Sequence, residues 1–149
     1  MRKYVLDANC YIDASRDTEA WKALARFTTW SAPRLFLSSV VAAELRAGAR
    51  SDRDRKQLED TLLAPFTRRD RVLTPGAASW DILGLTLATL RERKGLDLAQ
   101  VRRSFALDIL LAYSCRASGV VLVSQNARDM ARIRSVFSFE YVAPYPEPS

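Results

Sequence analysis

The chain of 149 residues is long enough for one domain, and a composition of 48% hydrophobic and 27% charged residues is that of a globular protein. No apolar run approaches the roughly 20 residues that a membrane-spanning helix needs, and Asp7 and Asn9 interrupt the region where a secretory signal would lie. These features predict a cytoplasmic protein with no membrane partner. Zinc is excluded as well, because the chain has no histidine and its two cysteines lack CxxC spacing.

Basic residues outnumber acidic ones by 23 to 17, which gives a net charge of +6 and a pI of about 9.7. Arginine dominates the basic residues, and its planar guanidinium can form bidentate contacts with phosphate or carboxylate. Any single arginine cluster is more typical of a solvated surface with internal ion pairs. Only the arginine clusters taken together favour nucleic acid or an acidic protein as the partner.

Short β-branched runs alternate along the chain with longer helical patterns. In chain order the pattern predicts a strand at 3–6, a helix at 18–30, a strand at 35–37, helices at 39–49 and 52–64, a strand at 71–73, helices at 77–94 and 98–118, a strand at 120–123, a helix at 126–134 and a strand at 137–142. This alternation predicts an α/β sandwich with a mainly parallel sheet in one domain, residues 1–142. The tail, residues 143–149, has three prolines and is predicted to be extended coil.

Three carboxylates occupy positions where a charge is costly. Asp7 directly follows the first predicted strand, at the strand end where parallel sheets bind ligands. Glu44 lies at helical spacing from two valines, and therefore on the apolar side of its helix. Asp108 interrupts a helical segment that is apolar almost all round, which is typical of a buried helix.

Burial of an ionised carboxylate raises the free energy of the folded protein by several kcal/mol, unless the carboxylate forms an ion pair or binds a metal. For Glu44 an ion pair with Arg46 or Arg50 and a metal site are equally open, whereas Asp108 has no basic residue three or four positions away. Carboxylates that converge without histidine or thiolate suit Mg²⁺ or Mn²⁺. The pattern therefore predicts an acidic metal pocket in a basic domain, which can support hydrolysis of a phosphodiester.

A fourth group of polar residues, Ser124, Asn126 and Asp129, follows the apolar strand predicted at 120–123. Asn126 is typical of a helix N-cap and Asp129 of a first-turn acid stabilised by the helix dipole. That structural interpretation and a place in the active site are equally open.

Three ordered segments carry a resemblance to a known family. They are YVLDANCYID at 4–13, SSVVAAELRAG at 38–48 and FALDILLAYSCRASGVVLVSQNARDM at 105–130. Together with the chain length, they make the sequence similar to the PIN-domain ribonucleases, and most closely to the VapC type toxins of toxin-antitoxin pairs.

The resemblance implies a PIN-like three-layer fold, with a five-stranded parallel sheet of order 3-2-1-4-5 flanked by helices. It implies an endoribonuclease that depends on Mg²⁺ or Mn²⁺, cleaves tRNA or rRNA, forms a homodimer and is blocked by a cognate antitoxin protein. It assigns catalytic roles to Asp7, Glu44, Asp108 and Asp129, of which the first three bind the metal. Supporting roles fall to Asn9, Ser124 and Asn126.

Two alternatives remain open on the sequence. Phosphotransferases of the haloacid dehalogenase pattern also begin with a strand-end Asp, but they need a second Asp where this chain has Asn9. The other alternative is a catalytically weak PIN-like module that binds RNA or protein. The presence of all three pocket acids opposes this module, whereas Asn126, which stands where some relatives have an acid, leaves it open.

Overall fold

A computed structural model describes residues 1–148 of the chain. The strands are β1 (Tyr4–Leu6), β2 (Leu35–Ser38), β3 (Val72–Leu73), β4 (Val121–Val123) and β5 (Tyr141–Val142). The helices are α1 (Ala8–Arg16), α2 (Thr18–Ser31), α3 (Ser39–Gly48), α4 (Asp52–Leu58), α5 (Ala64–Arg68), α6 (Ala77–Lys94), α7 (Arg103–Ser118) and α8 (Ala127–Arg134). A π-helical turn, Glu59–Leu63, joins α4 to α5, and short 3₁₀ turns occupy Ala32–Arg34 and Leu98–Gln100.

All five strands form one parallel sheet in the order β3-β2-β1-β4-β5, flanked by helices. The predicted α/β fold and its strand order are confirmed. Strand β1 lies at the centre, where Val5 pairs with Phe36 on one side and with Leu122 on the other. Because every strand runs the same way, the residues that follow β1, β2 and β4 meet at one edge of the sheet.

The hydrophobic core forms around the central strands. Val5 and Leu122 are completely buried, as is Ile109 of α7, because helices cover the parallel sheet and its strands are apolar throughout. Helix α3 contacts both α1 and α7, so the polar edge of the sheet lies beside three helices. Both cysteines are buried and unpaired, as their apolar surroundings predict. Within residues 1–148, no helix is long and apolar enough to cross a membrane.

Helix α1 is missing from the elements that the sequence pattern predicts. Asp7 ends β1 and at the same time caps α1, because its side chain accepts a hydrogen bond from the backbone N–H of Cys10. The same Asp and Asn that are typical of a turn therefore begin a helix of nine residues.

Two other elements are shorter than predicted by more than one residue. Helix α7 begins at Arg103 rather than at residue 98, because Asp97 caps a separate 3₁₀ turn and Arg102 is extended. The last strand is limited to Tyr141–Val142, since only these residues pair with β4.

The tail is described as far as Pro148, while Ser149 lies outside the described residues. Residues 143–148 form neither helix nor strand, in agreement with the predicted coil. The Tyr145 ring stacks on Phe27 of α2, with centroids 5.2 Å apart, so this coil packs against the domain.

Candidate active site

Asp7 lies at the end of β1 with only 4% of its surface exposed. One carboxylate oxygen accepts the Cys10 backbone N–H at 3.2 Å, and the other accepts the hydroxyl of Ser124. Burial raises the pKa of Asp7, although the hydrogen bonds from Ser124 and Cys10 act in the opposite direction. The side chain is therefore held in one orientation by neighbours that favour its charged form.

Ser124 joins the ends of the two central strands. It directly follows β4, is buried, and its hydroxyl oxygen accepts the backbone N–H of Asn126 at 3.1 Å. The Asp7 N–H donates to the carbonyl of Val123 at 3.0 Å, so the backbone ladder continues past both strands. Ser124, to which the family resemblance assigns a supporting role, thus links Asp7 to the first turn of α8.

Glu44 lies on α3, beside the buried residues Val41 and Leu45, and is itself half-buried. Burial raises the pKa of Glu44, and the negative charge of Asp7 raises it further. The ion pair that the sequence leaves open is absent among the described residues, because Arg46 binds Glu59 at 2.5 Å instead. Glu44 therefore interacts more strongly with another carboxylate than with its nearest arginine in sequence.

Asp108 is half-buried on α7, where the next residues, Ile109 to Ala112, are almost completely buried. Burial raises the pKa of Asp108 to about 7, and the charges of Asp7, Glu44 and Asp129 contribute in the same direction. Four carboxylates from separate elements thus lie close enough to interact electrostatically. We refer to Asp7, Glu44 and Asp108 as the acid cluster.

The acid cluster has no ion-pair partner within residues 1–148. Over the same residues, no three Asp, Glu, Cys or His side chains lie close enough to ligate one metal ion as they stand. Like charges repel each other unless a cation lies between them. The donor atoms are nevertheless those that Mg²⁺ and Mn²⁺ prefer, since they are carboxylate oxygens without nitrogen or sulfur.

Asn126 and Asp129 form the first turn of α8. Asn126 caps the helix, its side-chain oxygen accepting the Asp129 N–H at 3.4 Å, while its amide donates to the Asp129 carboxylate at 2.9 Å. Asp129 differs from the acid cluster because two arginines pair with it, Arg102 at 3.5 Å and Arg132 at 3.4 Å. The N-cap that the sequence leaves open is thus formed, and both residues lie beside the cluster.

Three further residues border the site. Asn9 is exposed in the first turn of α1, and its backbone N–H lowers the pKa of Asp7. Arg103 lowers the pKa of Glu44, and Arg102 lowers that of Asp108, so both arginines face the acid cluster from the start of α7. The sequence pattern assigns neither arginine to the site, because nothing in it separates them from the other exposed arginines.

The raised pKa of Asp108 predicts how the stability of the metal-free protein depends on pH. In the unfolded chain this carboxyl titrates near its ordinary value of 3.8, whereas the folded protein holds it at about 7. Between about pH 4 and pH 7 the folded state binds more protons than the unfolded state, so this group lowers the free energy of unfolding as pH rises. We expect Asp108→Asn to remove this contribution.

The measurement is thermal unfolding of wild type and Asp108→Asn in EDTA across that pH range. The melting temperature of the variant minus that of wild type should increase towards pH 7 and then level off. A difference that does not change with pH would show that Asp108 titrates normally in the folded protein.

Comparison with known proteins agrees with this architecture. The family model of the PIN domain matches residues 4–136. No curated protein sequence matches the chain. A chain in the crystal structure of DNA-bound VapBC from Salmonella typhimurium is 22% identical with a TM-score of 0.71, and the match covers 97% of this chain and 100% of that chain.

Two other solved structures show the same fold. VapBC-1 from nontypeable Haemophilus influenzae matches at 22% identity and a TM-score of 0.64, over 94% of this chain and 96% of that one. FitAcB from Neisseria gonorrhoeae matches at 16% identity and a TM-score of 0.67, over 95% of this chain and 97% of that one. The sequence model and the shared fold together lead to one conclusion: the chain belongs to the PIN domain family.

Proposed function

We propose that the chain is an endoribonuclease that depends on Mg²⁺ or Mn²⁺ and acts as the toxin of a type II toxin-antitoxin pair. The acid cluster carries this proposal. Burial raises the pKa of Asp7, Glu44 and Asp108, and the charge of Asp7 raises the pKa of the other two further. No arginine forms an ion pair with these acids within residues 1–148, and they lie at the edge of a parallel sheet where ligands bind. A protein retains such a costly arrangement when a cation neutralises it.

Family membership supports a nuclease, because PIN domains are generally nucleases. Asp7, Glu44 and Asp108 would hold the cation through their carboxylate oxygens. When bound, a divalent cation activates water as a nucleophile and offsets the charge that develops on phosphate. This chemistry requires no histidine, and the chain contains none.

The residues next to the acid cluster orient the Asp7 carboxylate and supply positive charge. The hydroxyl of Ser124 and the Cys10 N–H fix the Asp7 carboxylate, so that it keeps its orientation while substrate binds. Arg102 and Arg103 place positive charge beside the acid cluster, which would otherwise repel the phosphates of RNA. Asn9 is exposed beside Asp7, and we expect it to help orient Asp7 or the attacking water.

The partners follow from the same resemblance. The similar structures are VapBC and FitAcB complexes, which supports a cognate antitoxin as partner of this chain. The RNA target that we propose is tRNA or rRNA, in the cytoplasm, and the active form is a homodimer. The net charge of +6 favours a polyanionic substrate.

The direct test is cleavage of a mixed tRNA and rRNA pool by purified protein, in Mn²⁺ and in EDTA. We expect discrete cuts in Mn²⁺ that are absent in EDTA and absent with Asp7→Asn purified in the same way. Calorimetric titration with Mn²⁺ accompanies the assay. A protein that neither cuts RNA nor binds Mn²⁺ would instead be a PIN-like binding module, an alternative that Asn126, an uncharged residue beside the cluster, keeps open.

A further inference from the structure

We propose that Asp129 is a positioning residue that holds the Arg102 guanidinium beside the acid cluster, where Arg102 binds a phosphate of the RNA. This inference rests on the proposed function and deepens it, because it assigns a phosphate contact and separates Asp129 from the metal ligands. It follows from how the charges around Asp129 are paired.

The carboxylate of Asp129 is fully engaged by its neighbours. Its side chain is only 7% exposed, and one oxygen accepts both the Asn126 amide at 2.9 Å and Arg102 at 3.5 Å. The other oxygen accepts Arg132 at 3.4 Å. Two guanidinium groups therefore face one carboxylate, and the charge of Asp129 is more than neutralised without a metal. In contrast, no arginine forms an ion pair with the acid cluster within residues 1–148.

Arg102 has the properties of a phosphate contact. Its side chain is 73% exposed, and its bond to Asp129 engages one of the five N–H donors of a guanidinium. It lies near enough to Asp108 to lower the pKa of that carboxyl. An arginine held beside an acidic pocket offsets the repulsion between the pocket and phosphate, and its remaining donors can bind phosphate oxygens.

Arg132 is held by a second contact, which distinguishes it from Arg102. Its guanidinium lies over the Phe105 ring, 4.3 Å from the centroid, in addition to its bond with Asp129. For Arg102, Asp129 is the only side-chain partner within residues 1–148. Loss of the Asp129 charge should therefore release Arg102 while Arg132 stays on Phe105.

The test measures binding of a labelled single-stranded RNA of mixed sequence in EDTA, by fluorescence anisotropy at several salt concentrations. We expect Arg102→Ala to raise Kd about tenfold. The dependence of log Kd on log salt concentration should become shallower by roughly the amount that one phosphate contact contributes. Arg102→Lys, which keeps the charge but not the planar fork, should lie between Arg102→Ala and wild type.

Asp129→Asn distinguishes positioning from simple electrostatics. Removal of a negative charge would by itself strengthen RNA binding. If Asp129 positions Arg102, Asp129→Asn should instead weaken RNA binding several-fold, about the effect of losing one charged hydrogen bond. In the Arg102→Ala background, Asp129→Asn should change Kd little further. Tighter binding by Asp129→Asn, or full additivity of the two changes, would overturn the proposal.

A second measurement separates Asp129 from the metal ligands. Calorimetry with Mn²⁺ should give Asp129→Asn an affinity within about threefold of wild type, because Arg102 and Arg132 already offset the charge of Asp129 and screening by salt weakens what remains. In cleavage assays the variant should raise KM more than it lowers kcat, since uniform binding is lost. Loss of Mn²⁺ binding as complete as in Asp108→Asn would make Asp129 a ligand and overturn the proposal.

Arg69→Ala is the matched control. Arg69 is exposed and precedes β3, so it lies at the opposite edge of the sheet from the acid cluster. The Arg69→Ala variant removes the same charge as Arg102→Ala. It should change Kd by less than about threefold, because salt screens a remote charge. If Arg69→Ala raised Kd as much as Arg102→Ala, Arg102 would contribute only to the net positive charge and not through a specific phosphate contact.

The outcomes keep this inference separate from the proposed function. A wild-type protein that binds RNA but does not cleave it in Mn²⁺ would refute the nuclease, while the anisotropy data would still decide the role of Arg102. If Asp129→Asn does not fold by circular dichroism, the exposed Arg102 variants alone decide whether that guanidinium binds phosphate. A wild type that does not bind this RNA in EDTA but cleaves the tRNA and rRNA pool in Mn²⁺ would overturn the role of Arg102 and leave the nuclease standing.

Discussion

Asp108→Asn should abolish RNA cleavage, by at least about a thousandfold, because an amide replaces a charged ligand of the cation on which the proposed chemistry depends. It should also weaken Mn²⁺ binding. In metal-free buffer at neutral pH the variant should be more stable than wild type, since it removes a carboxylate whose pKa is raised to about 7 by burial and by neighbouring acids. A gain in stability that accompanies a loss of activity is typical of a site built for a ligand.

The measurements are single-turnover cleavage, Mn²⁺ calorimetry and thermal unfolding in EDTA. Asp81→Asn is the matched control, because Asp81 is an exposed acid on the helix that packs against α7. It should leave cleavage unchanged and shift the melting temperature little, as is usual for surface positions. If folded Asp108→Asn cleaves RNA at a rate near that of wild type, Asp108 is not a ligand and the acid cluster is not the active site.

Asp7 allows the catalytic and structural roles of one side chain to be separated. Asp7→Asn and Asp7→Ala should both lose cleavage, by about a thousandfold or more, because both remove a negative charge from the proposed metal site. The side-chain oxygen of Asn can still accept the Cys10 N–H, and its amide can donate to the Ser124 hydroxyl oxygen. Ala leaves the Ser124 hydroxyl without this partner, and the Cys10 N–H keeps only the backbone carbonyl of residue 7, at 3.2 Å. We therefore expect Asp7→Ala to be less stable than Asp7→Asn by about 1–2 kcal/mol.

Chemical denaturation of the two variants in EDTA measures this difference, and the slopes should agree so that the midpoints can be compared. Equal stability would mean that the cap contributes nothing to α1. Cleavage by Asp7→Asn at a substantial fraction of the wild-type rate would show that the charge of Asp7 is dispensable, which would contradict the proposed metal site.

Much of the architecture can be read from local patterns. The apolar run at residues 120–123 indicates a buried strand, and alternation with helices indicates parallel strands, because consecutive strands joined by helices must run the same way. Asp7 and Ser124 each follow a central strand, so their proximity at one edge of the sheet is a consequence of parallel topology. The strand order itself came from resemblance to the family, not from periodicity.

Helix α1 shows the limit of such patterns. Its first residues follow a strand with no intervening loop, and Asp7 serves as strand end, helix cap and predicted ligand together. A turn and a helix start share the same signal, because Asp and Asn accept backbone N–H groups in both. The structure separates them by which N–H groups lie within reach.

The sequence by itself indicated that Glu44 and Asp108 face the core, because of their helical spacing and apolar neighbours, and both are half-buried in the structure. The burial of Asp129 was not predicted. Only the tertiary structure decided which acids have partners. Arg46 pairs with Glu59 rather than Glu44, and Asp129 pairs with Arg102, 27 positions earlier. Ion pairs form over a few ångströms between segments distant in the chain, so composition and spacing cannot assign them. That assignment separates the acid cluster, which has no ion-pair partner within residues 1–148, from Asp129, which pairs with two arginines.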